Sequence, residues 1–184
     1  MLSGLMIILL VVLLFAALGG VGYVVSLFNS LVQVKNNIGK AWHNIDVLLL
    51  QRNEEIPQLI DLARAYGKYE AGLLEEITRL RLSYAKVKHT GEKTTIENEL
   101  SAQLRQLRQT AEQYPDIKAD ILYRSVQERV SALEEMIADR RIFFNDTVTI
   151  YNIQREQFPQ RIFARLLGFE RHPLLDMPGD KRTG

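Results

Sequence analysis

The three histidines are the first candidates for chemistry, because an imidazole titrates near neutral pH and is a common metal ligand. They are His43, His89 and His172. A di-metal site in a helical bundle needs Glu-x-x-His pairs on facing helices, and none of these histidines has a glutamate three positions before it. We therefore expect each histidine to be solvated or structural, and we predict neither a metal nor a cofactor.

Sequence motifs for catalysis are missing as well. The chain has no H-E-x-x-H, P-loop, G-x-G-x-x-G or G-x-S-x-G segment. It also has no cysteine, which excludes thiolate nucleophiles, disulfides and cysteine zinc sites. We predict no catalytic residue and no enzymatic activity.

Two charged residues fall within otherwise apolar helical stripes. Glu70 lies on the second stripe of the soluble region, and Arg140 follows Leu133 and Ile137 on the fourth. A single buried charge costs several kcal/mol, whereas a hydrogen-bonded pair leaves neither partner alone. One hypothesis is that Glu70 and Arg140 meet, and the alternative is that each reaches solvent along its stem.

A second group of polar residues lies further along the fourth stripe. It comprises Asn145, Asp146, Tyr151 and Asn152. Buried amides need hydrogen-bond partners, so this group is interpreted as fixing the register between helices, with ligand binding as the alternative. The single tryptophan, Trp42, is interpreted as a core anchor, and the alternative is a surface for a partner.

Basic side chains are concentrated near the ends of two predicted helices. In an up-down bundle whose first helix leaves a membrane, the second and fourth helices return towards it. Contact with anionic lipid headgroups is one hypothesis for these residues, and a solvated charged face is the other. The candidates are Arg79, Arg81, Lys86, Lys88, Arg155, Arg161 and Arg165.

The elements that position these residues begin with an uncharged run from Leu5 to Phe28. As a helix it spans roughly 36 Å at about 1.5 Å per residue, which suffices to cross a bilayer. A buried soluble helix and a cleaved signal peptide are the alternatives. The run lacks the polar face of the former, and it lacks the basic start and the A-x-A site of the latter. We predict a transmembrane anchor over residues 1–28.

Orientation follows from the basic residues near the ends of the span. Lys35 and Lys40 come directly after it, and only the terminal amine precedes it. This favours a single-pass protein of the bacterial inner membrane with the bulk of the chain in the cytoplasm. Small residues four apart would permit close packing of a second helix, which favours a homo-oligomer. They are Ala16 with Gly20, and Gly22 with Ser26.

The soluble region shows helical periodicity and almost no strand signal. Apolar residues recur every three or four positions in four stripes, from Leu27 to Leu48, Ile56 to Val87, Leu100 to Tyr114 and Ile117 to Tyr151. We predict an all-α fold in which the transmembrane helix continues into an antiparallel up-down bundle of about four long helices over residues 29–169. A short helix from Gln160 to Leu167 and a loose tail over residues 170–184 complete the expected organisation.

Two separated segments resemble the LemA family. The first contains FNSLVxxKNNIxxAWxxID from Phe28 to Asp46 and RNEEIPQLI from Arg52 to Ile60, and the second is RRIFFNDTVTIYNIQREQFP from Arg140 to Pro159. The resemblance implies an N-terminal membrane helix, an all-helical bundle and a setting in bacterial envelope maintenance. It implies no reaction. Val47 to Gln51 are more apolar here than is usual in the family.

Charge and family together indicate a class of function. With 23 basic and 22 acidic residues, the chain lacks the basic excess of a nucleic-acid binder. We predict a membrane-anchored scaffold or adaptor of the bacterial cell envelope whose partners are lipid, further copies of itself or other envelope membrane proteins. The alternative is a lipid-organising or membrane-shaping oligomer that holds anionic phospholipid with its basic bundle ends.

Overall fold

The structure, a computed structural model, describes residues 2–176 and is all α. Six helices occur among these residues, and the same part of the chain contains no strand. This confirms the predicted fold class. The helices are α1 (Leu2–Tyr66), α2 (Ala71–Lys86), α3 (Thr90–Glu112), α4 (Pro115–Ala119), α5 (Ile121–Glu156) and α6 (Gln160–Leu166).

Helix α1 contains the apolar run and continues without a break through Pro57. The large apolar side chains from Leu5 to Val25 are between 39% and 75% exposed. A soluble core helix differs in this respect, because its apolar side chains are mostly buried. By length and composition, α1 is a candidate membrane span, and its most apolar window is 0% buried.

The second stripe, predicted to run from Ile56 to Val87, is divided between two helices. Gly67 has a φ of 60°, a left-handed conformation that suits glycine and commonly ends a helix. The chain then passes through Glu70, which occupies the N-cap position of α2 without a side-chain capping hydrogen bond. The predicted fourth helix is divided in a similar way, because Asp120 separates α4 from α5 and accepts the Tyr123 amide at 2.8 Å.

The chain forms two compact units. Among the described residues, unit 1 takes those up to Trp42 together with Phe143–Leu174, and unit 2 takes His43–Ile142 and the residues from Leu175 on. The divisions predicted from sequence, after residues 28 and 169, separate an anchor, a bundle and a tail, and they stay predictions.

Unit 1 is held together by an antiparallel pairing of α1 with α5. The Trp42 and Phe144 rings meet edge to face at 6.2 Å, and Gln154 Nε2 donates to Ser30 Oγ at 3.3 Å. Nearer the N-terminus of α1, the centroid of the Phe28 ring lies 6.1 Å from that of Phe169. Residues far apart in sequence thus supply one apolar contact surface, which favours the pairing through burial.

Unit 2 is a four-helix bundle built from α1, α2, α3 and α5. Its helices run up and down. Asp46 and Asn53 of α1 contact Tyr84 and Arg81 of α2, so these two helices are antiparallel. Asp46 and Arg52 contact Lys93 and Glu97 of α3, so α3 is parallel to α1. The predicted apolar stripes supply the buried core, and burying each large side chain contributes about 1.5–3 kcal/mol. Members of the core include Ile56, Leu59, Ala63, Ile77, Leu80, Leu100, Leu104, Leu107, Val126 and Val130.

Candidate functional site

Three charged side chains are buried together in unit 2, each on a different helix. Arg52 of α1, Glu97 of α3 and Arg141 of α5 are 1%, 2% and 3% exposed. Arg52 Nη2 donates to Glu97 Oε2 at 2.5 Å, and Arg141 Nη2 lies 3.7 Å from Glu97 Oε1. The Ser101 hydroxyl donates to Glu97 Oε1 and accepts from Arg52 Nη1, both at 3.0 Å. This Arg–Glu–Arg cluster links three of the four helices of the bundle.

The cluster carries one more positive than negative charge, because a single carboxylate serves two guanidinium groups. Burial lowers the pKa of the Arg141 guanidinium, while the negative charge of Glu97 acts in the opposite sense. The buried Nε of Arg52 has no hydrogen-bond partner within the described part of the chain. The cluster therefore has unused hydrogen-bond donors and an unneutralised charge in a poorly solvated place.

A cavity of about 300 Å³ adjoins the cluster. Burial raises the pKa of its Glu134 carboxyl, although the nearby charges of Arg52 and Arg108 oppose this. Two lining residues, Arg105 and Glu135, are exposed, so the cavity opens to solvent. The charged and hydroxyl residues that line it are Arg52, Glu97, Ser101, Arg105, Arg108, Ser131, Glu134, Glu135 and Arg141.

The predicted contact between Glu70 and Arg140 is not formed. Glu70 is exposed in front of α2, and Arg140 is exposed on α5. The pairing hypothesis is therefore wrong, and the alternative, that each side chain reaches solvent, is the arrangement found. Arg141, one position later, is the arginine on the buried face of α5.

A second polar contact joins α1 to α2 and α3 within unit 2. Asp46 Oδ1 accepts from the Tyr84 hydroxyl at 2.5 Å and from Lys93 Nζ at 2.6 Å. Lys93 Nζ also lies 4.9 Å from the centroid of the Tyr84 ring. Burial raises the pKa of Tyr84, as does its hydrogen bond to Asp46, so the phenol stays protonated and remains a donor.

We expect Asp46→Asn to lower the free energy of unfolding by about 1–2 kcal/mol at neutral pH, because hydrogen bonds to a charged group are stronger than neutral ones. Burial acts to raise the pKa of Asp46, but the hydrogen bonds from Lys93 and Tyr84 outweigh it and the pKa is lowered. A lowered pKa gives stability that is present above the unfolded value of about 3.9 and is lost as the pH falls through the folded value.

The measurement is urea unfolding of both proteins, followed by circular dichroism from neutral pH down to about pH 3. The difference in free energy of unfolding between the unaltered protein and Asp46→Asn should become smaller as the pH falls. Asp61→Asn is the matched control, because Asp61 is 76% exposed and its contact with Arg64 is 3.9 Å long. A gap of constant size across the whole pH range would show that the Asp46 charge does not act as described.

The polar residues predicted on α5 divide into two pairs. Tyr151 donates to the Glu170 carbonyl at 2.9 Å. The Asn152 side chain makes two hydrogen bonds to the main chain of His172. Its Nδ2 donates to the His172 carbonyl at 2.9 Å, and its Oδ1 accepts from the His172 amide at 3.0 Å. These two residues therefore bind the segment after α6. Of the other two, Asn145 is half-buried and Asp146 is exposed.

These contacts change the expectation for the predicted tail. A loose segment was expected from residue 170, but Glu170 and His172 are fixed to α5 through their main chain. The physical reason is that a short extended segment has unpaired carbonyl and amide groups, which side chains of α5 satisfy. The end of the predicted tail, residues 177–184, lies outside the described residues.

Two of the four predicted basic candidates in unit 2 have hydrogen-bond partners. Arg79 forms a bidentate salt bridge with Glu76, in which Nε donates to Oε2 at 2.7 Å and Nη2 donates to Oε1 at 2.5 Å. Arg81 Nε donates to the Asn53 carbonyl at 2.9 Å, so it contributes to helix packing. Lys86 and Lys88 are exposed.

The remaining basic candidates lie in unit 1 at the turn between α5 and α6. Arg155 Nε donates to the Phe169 carbonyl at 2.8 Å, and Arg161 and Arg165 are exposed. Arg155, Arg161 and Arg165 line a cavity of about 260 Å³ together with Glu156 and Ala164. Strongly exposed apolar side chains lie close by in sequence, namely Phe158, Ile162, Leu166 and Leu167.

The histidines are dispersed. His43 is exposed on α1, and His89 is exposed at the N-cap position of α3 without a side-chain capping hydrogen bond. The half-buried His172 ring lies 6.1 Å from that of Phe144. The described residues contain no group of three or more His, Cys, Asp or Glu side chains that could hold a metal.

One face of α5 in unit 1 carries three exposed apolar side chains, with the exposed Asp146 among them. Phe143, Ile150 and Ile153 are 53%, 56% and 52% exposed. They lie seven and then three residues apart, so they share one stripe of the helix. Trp42 is half-buried, and its ring packs edge to face against that of Phe144. The stripe of Phe143, Ile150 and Ile153 is called the open α5 face below.

Sequence comparison assigns the chain to a family. No curated protein matches the chain. The sequence model described as the LemA family matches residues 41–183, which covers most of the chain. The matched range includes the Arg–Glu–Arg cluster, the open α5 face and the α5 side chains that hydrogen-bond to the segment after α6. On this match the chain belongs to the LemA family.

Proposed function

We propose that this LemA-family chain is a membrane-anchored helical scaffold or adaptor of the bacterial cell envelope, without catalytic activity. The observation that carries the proposal is the open α5 face, since three large apolar side chains on a water-facing helix are typical of a protein-binding surface. The scaffold is single-pass in the inner membrane. Lys35 and Lys40 favour a cytoplasmic location for the bulk of the chain.

The first partner of the open α5 face is a second copy of the chain. Copies that share one bilayer meet at a high effective concentration, so a modest apolar surface suffices for association. The exposed small residues of the apolar run, Ala16 with Gly20 and Gly22 with Ser26, support close approach of two α1 helices. Other envelope membrane proteins are further partners, and nucleic acid is not.

A lipid-organising oligomer is the second candidate, and the turn between α5 and α6 favours it. Arg161 and Arg165 would meet anionic headgroups while Phe158 and Leu166, which are 83% and 76% exposed, would enter the interface. A basic side chain near an anionic surface contributes about 1 kcal/mol. In this candidate the main contacts of the chain are with phospholipid.

The experiment is crosslinking in native membranes combined with light scattering of the full chain in detergent. Phe143→Ser with Ile150→Ser should remove discrete protein adducts and raise the dissociation constant of the oligomer at least about tenfold, because it removes two apolar anchors. Leu82→Ser with Leu122→Ser is the matched control, since these leucines are 50% and 51% exposed on unit 2.

The outcomes separate the two candidates. Loss of adducts in the α5 variant alone supports the scaffold. Adducts that survive in that variant, or crosslinks to lipid alone in the unaltered protein, would remove self-association through the open α5 face. Crosslinks to lipid alone that decrease in Arg161→Gln with Arg165→Gln would favour the lipid-organising candidate.

A further inference from the structure

We propose that the cavity beside the Arg–Glu–Arg cluster binds a small phosphate-bearing anion. This site lies within unit 2 and is separate from the open α5 face. The inference goes beyond the proposed scaffold function, because it assigns a soluble ligand to the bundle.

The first support is the set of buried donors. Arg52 and Arg141 are almost fully buried, and Glu97 is the only carboxylate within 4.0 Å of either among the described residues. The contact of Arg141 with Glu97, at 3.7 Å, is longer than a hydrogen bond, and the buried Nε of Arg52 has no acceptor among residues 2–176. A buried donor without an acceptor is costly, and an anion in the adjoining cavity would supply acceptors.

The second support is the charge of the cavity wall. Four arginines and three glutamates line it, which gives a formal charge of +1. Burial raises the pKa of Glu134, so this carboxyl binds a proton more readily than an exposed one and opposes an anion less. Arg52 and Arg141 are buried, and burial of a guanidinium strengthens its attraction to an anion.

The third support is the direction from which the donors come. Arg52 is on α1, Arg105 is on α3, and Ser131 and Arg141 are on α5. Donors from three helices suit a tetrahedral oxyanion, whose acceptors point in several directions, and arginine forms two-pronged contacts with phosphate.

Size and access agree with a small ligand. A volume of about 300 Å³ lies at the lower end of the range for small-molecule sites. The exposed residues Arg105 and Glu135 lie at its mouth, so the ligand enters from water. Free phosphate and the phosphate of a small phosphomonoester share the required chemistry.

The test is equilibrium dialysis of the full chain in detergent against radiolabelled inorganic phosphate at constant ionic strength. We expect saturable binding. Arg105→Gln should raise the dissociation constant about tenfold or more, because it removes a charged donor from an exposed position and leaves the core intact. Glu135→Gln should have the opposite effect and tighten binding, since it removes a negative charge from the mouth.

Arg124→Gln and Glu128→Gln are the matched controls, since both residues are exposed on α5 and do not line this cavity. Competition with unlabelled glycerol 3-phosphate identifies the source of the phosphate. Tighter binding of the ester indicates a phosphomonoester, and equal binding indicates the free ion. Absence of saturable phosphate binding, or equal dissociation constants for the unaltered protein and Arg105→Gln, would overturn the proposal.

Discussion

Glu97→Gln should lower the free energy of unfolding of unit 2 by about 3–5 kcal/mol, the cost of leaving buried charges without their counter-ion. Arg52 and Arg141 are 1% and 3% exposed, and in this variant both would face a neutral amide. Urea unfolding of the full chain in detergent, followed by helical circular dichroism, gives the change in midpoint.

The control for this prediction is Glu76→Gln. Glu76 also pairs with an arginine, but that pair is exposed, with side chains 37% and 60% accessible. Exposed pairs typically contribute less than about 1 kcal/mol, so little change is expected. A loss from Glu97→Gln as small as that of the control would mean that water or a rearranged helix compensates the two arginines.

A companion variant separates charge from packing. Replacing the whole cluster, with Arg52→Met, Glu97→Leu and Arg141→Met together, removes all three charges and keeps similar volumes. We expect this protein to recover most of the stability that Glu97→Gln loses, because apolar residues of similar size can replace buried ion pairs at little cost. It should also lose phosphate binding.

Leu10→Arg with Leu14→Arg should release the chain from the membrane. An arginine near the centre of a membrane helix costs about 2.5–3.5 kcal/mol for insertion, and two on one helical face cost about twice that. The measurement is the fraction of full chain in the pellet after carbonate extraction of bacterial membranes. The unaltered chain should stay in the pellet, and the double variant should move to the soluble or degraded fraction.

Leu50→Arg serves as the control, because Leu50 is 45% exposed on the part of α1 that belongs to unit 2. Mass spectrometry of the pelleted protein completes the test. A pelleted chain with its full mass supports an anchor. A chain that lacks the apolar run would show that the run is a cleaved signal peptide.

The periodicity of apolar residues predicted most of the fold but did not find the buried arginine of α5. Ile137, Phe144 and Val148 are buried as expected, and the charge noted on their stripe was Arg140, either paired with Glu70 or reaching solvent. Steps of three and four both keep a residue near one helical face, so the pattern could not choose between Arg140 and Arg141. Tertiary packing makes that choice.

The other members of the cluster had a sequence signal that was not used. Arg52 lies four residues before Ile56 on the first long helix, and Glu97 lies three before Leu100, so each continues a buried stripe. In the sequence alone, a charged residue that continues an apolar stripe cannot be distinguished from the first exposed residue beyond the end of that stripe. Only the meeting of three helices shows that these two charges are buried as partners.

The helix boundary at Gly67 was missed for a different reason. The stripe from Ile56 to Val87 keeps its spacing across the break, and Gly67 stands among residues compatible with a helix. Its φ of 60° depends on how α2 packs back on α1, which a local pattern does not contain. The contact of Asn152 with His172, twenty residues away, was unpredictable on the same ground.

The segment after α6 determines where a minimal fragment of unit 1 can end. Cutting the chain at Gly168 would remove the ring that covers Phe28 and the imidazole that packs on Phe144. It would also leave the amide of Asn152 without the main chain that it binds. Expression vectors and protease digests should therefore preserve the chain at least to Leu174, because a shorter product would expose apolar surface and aggregate.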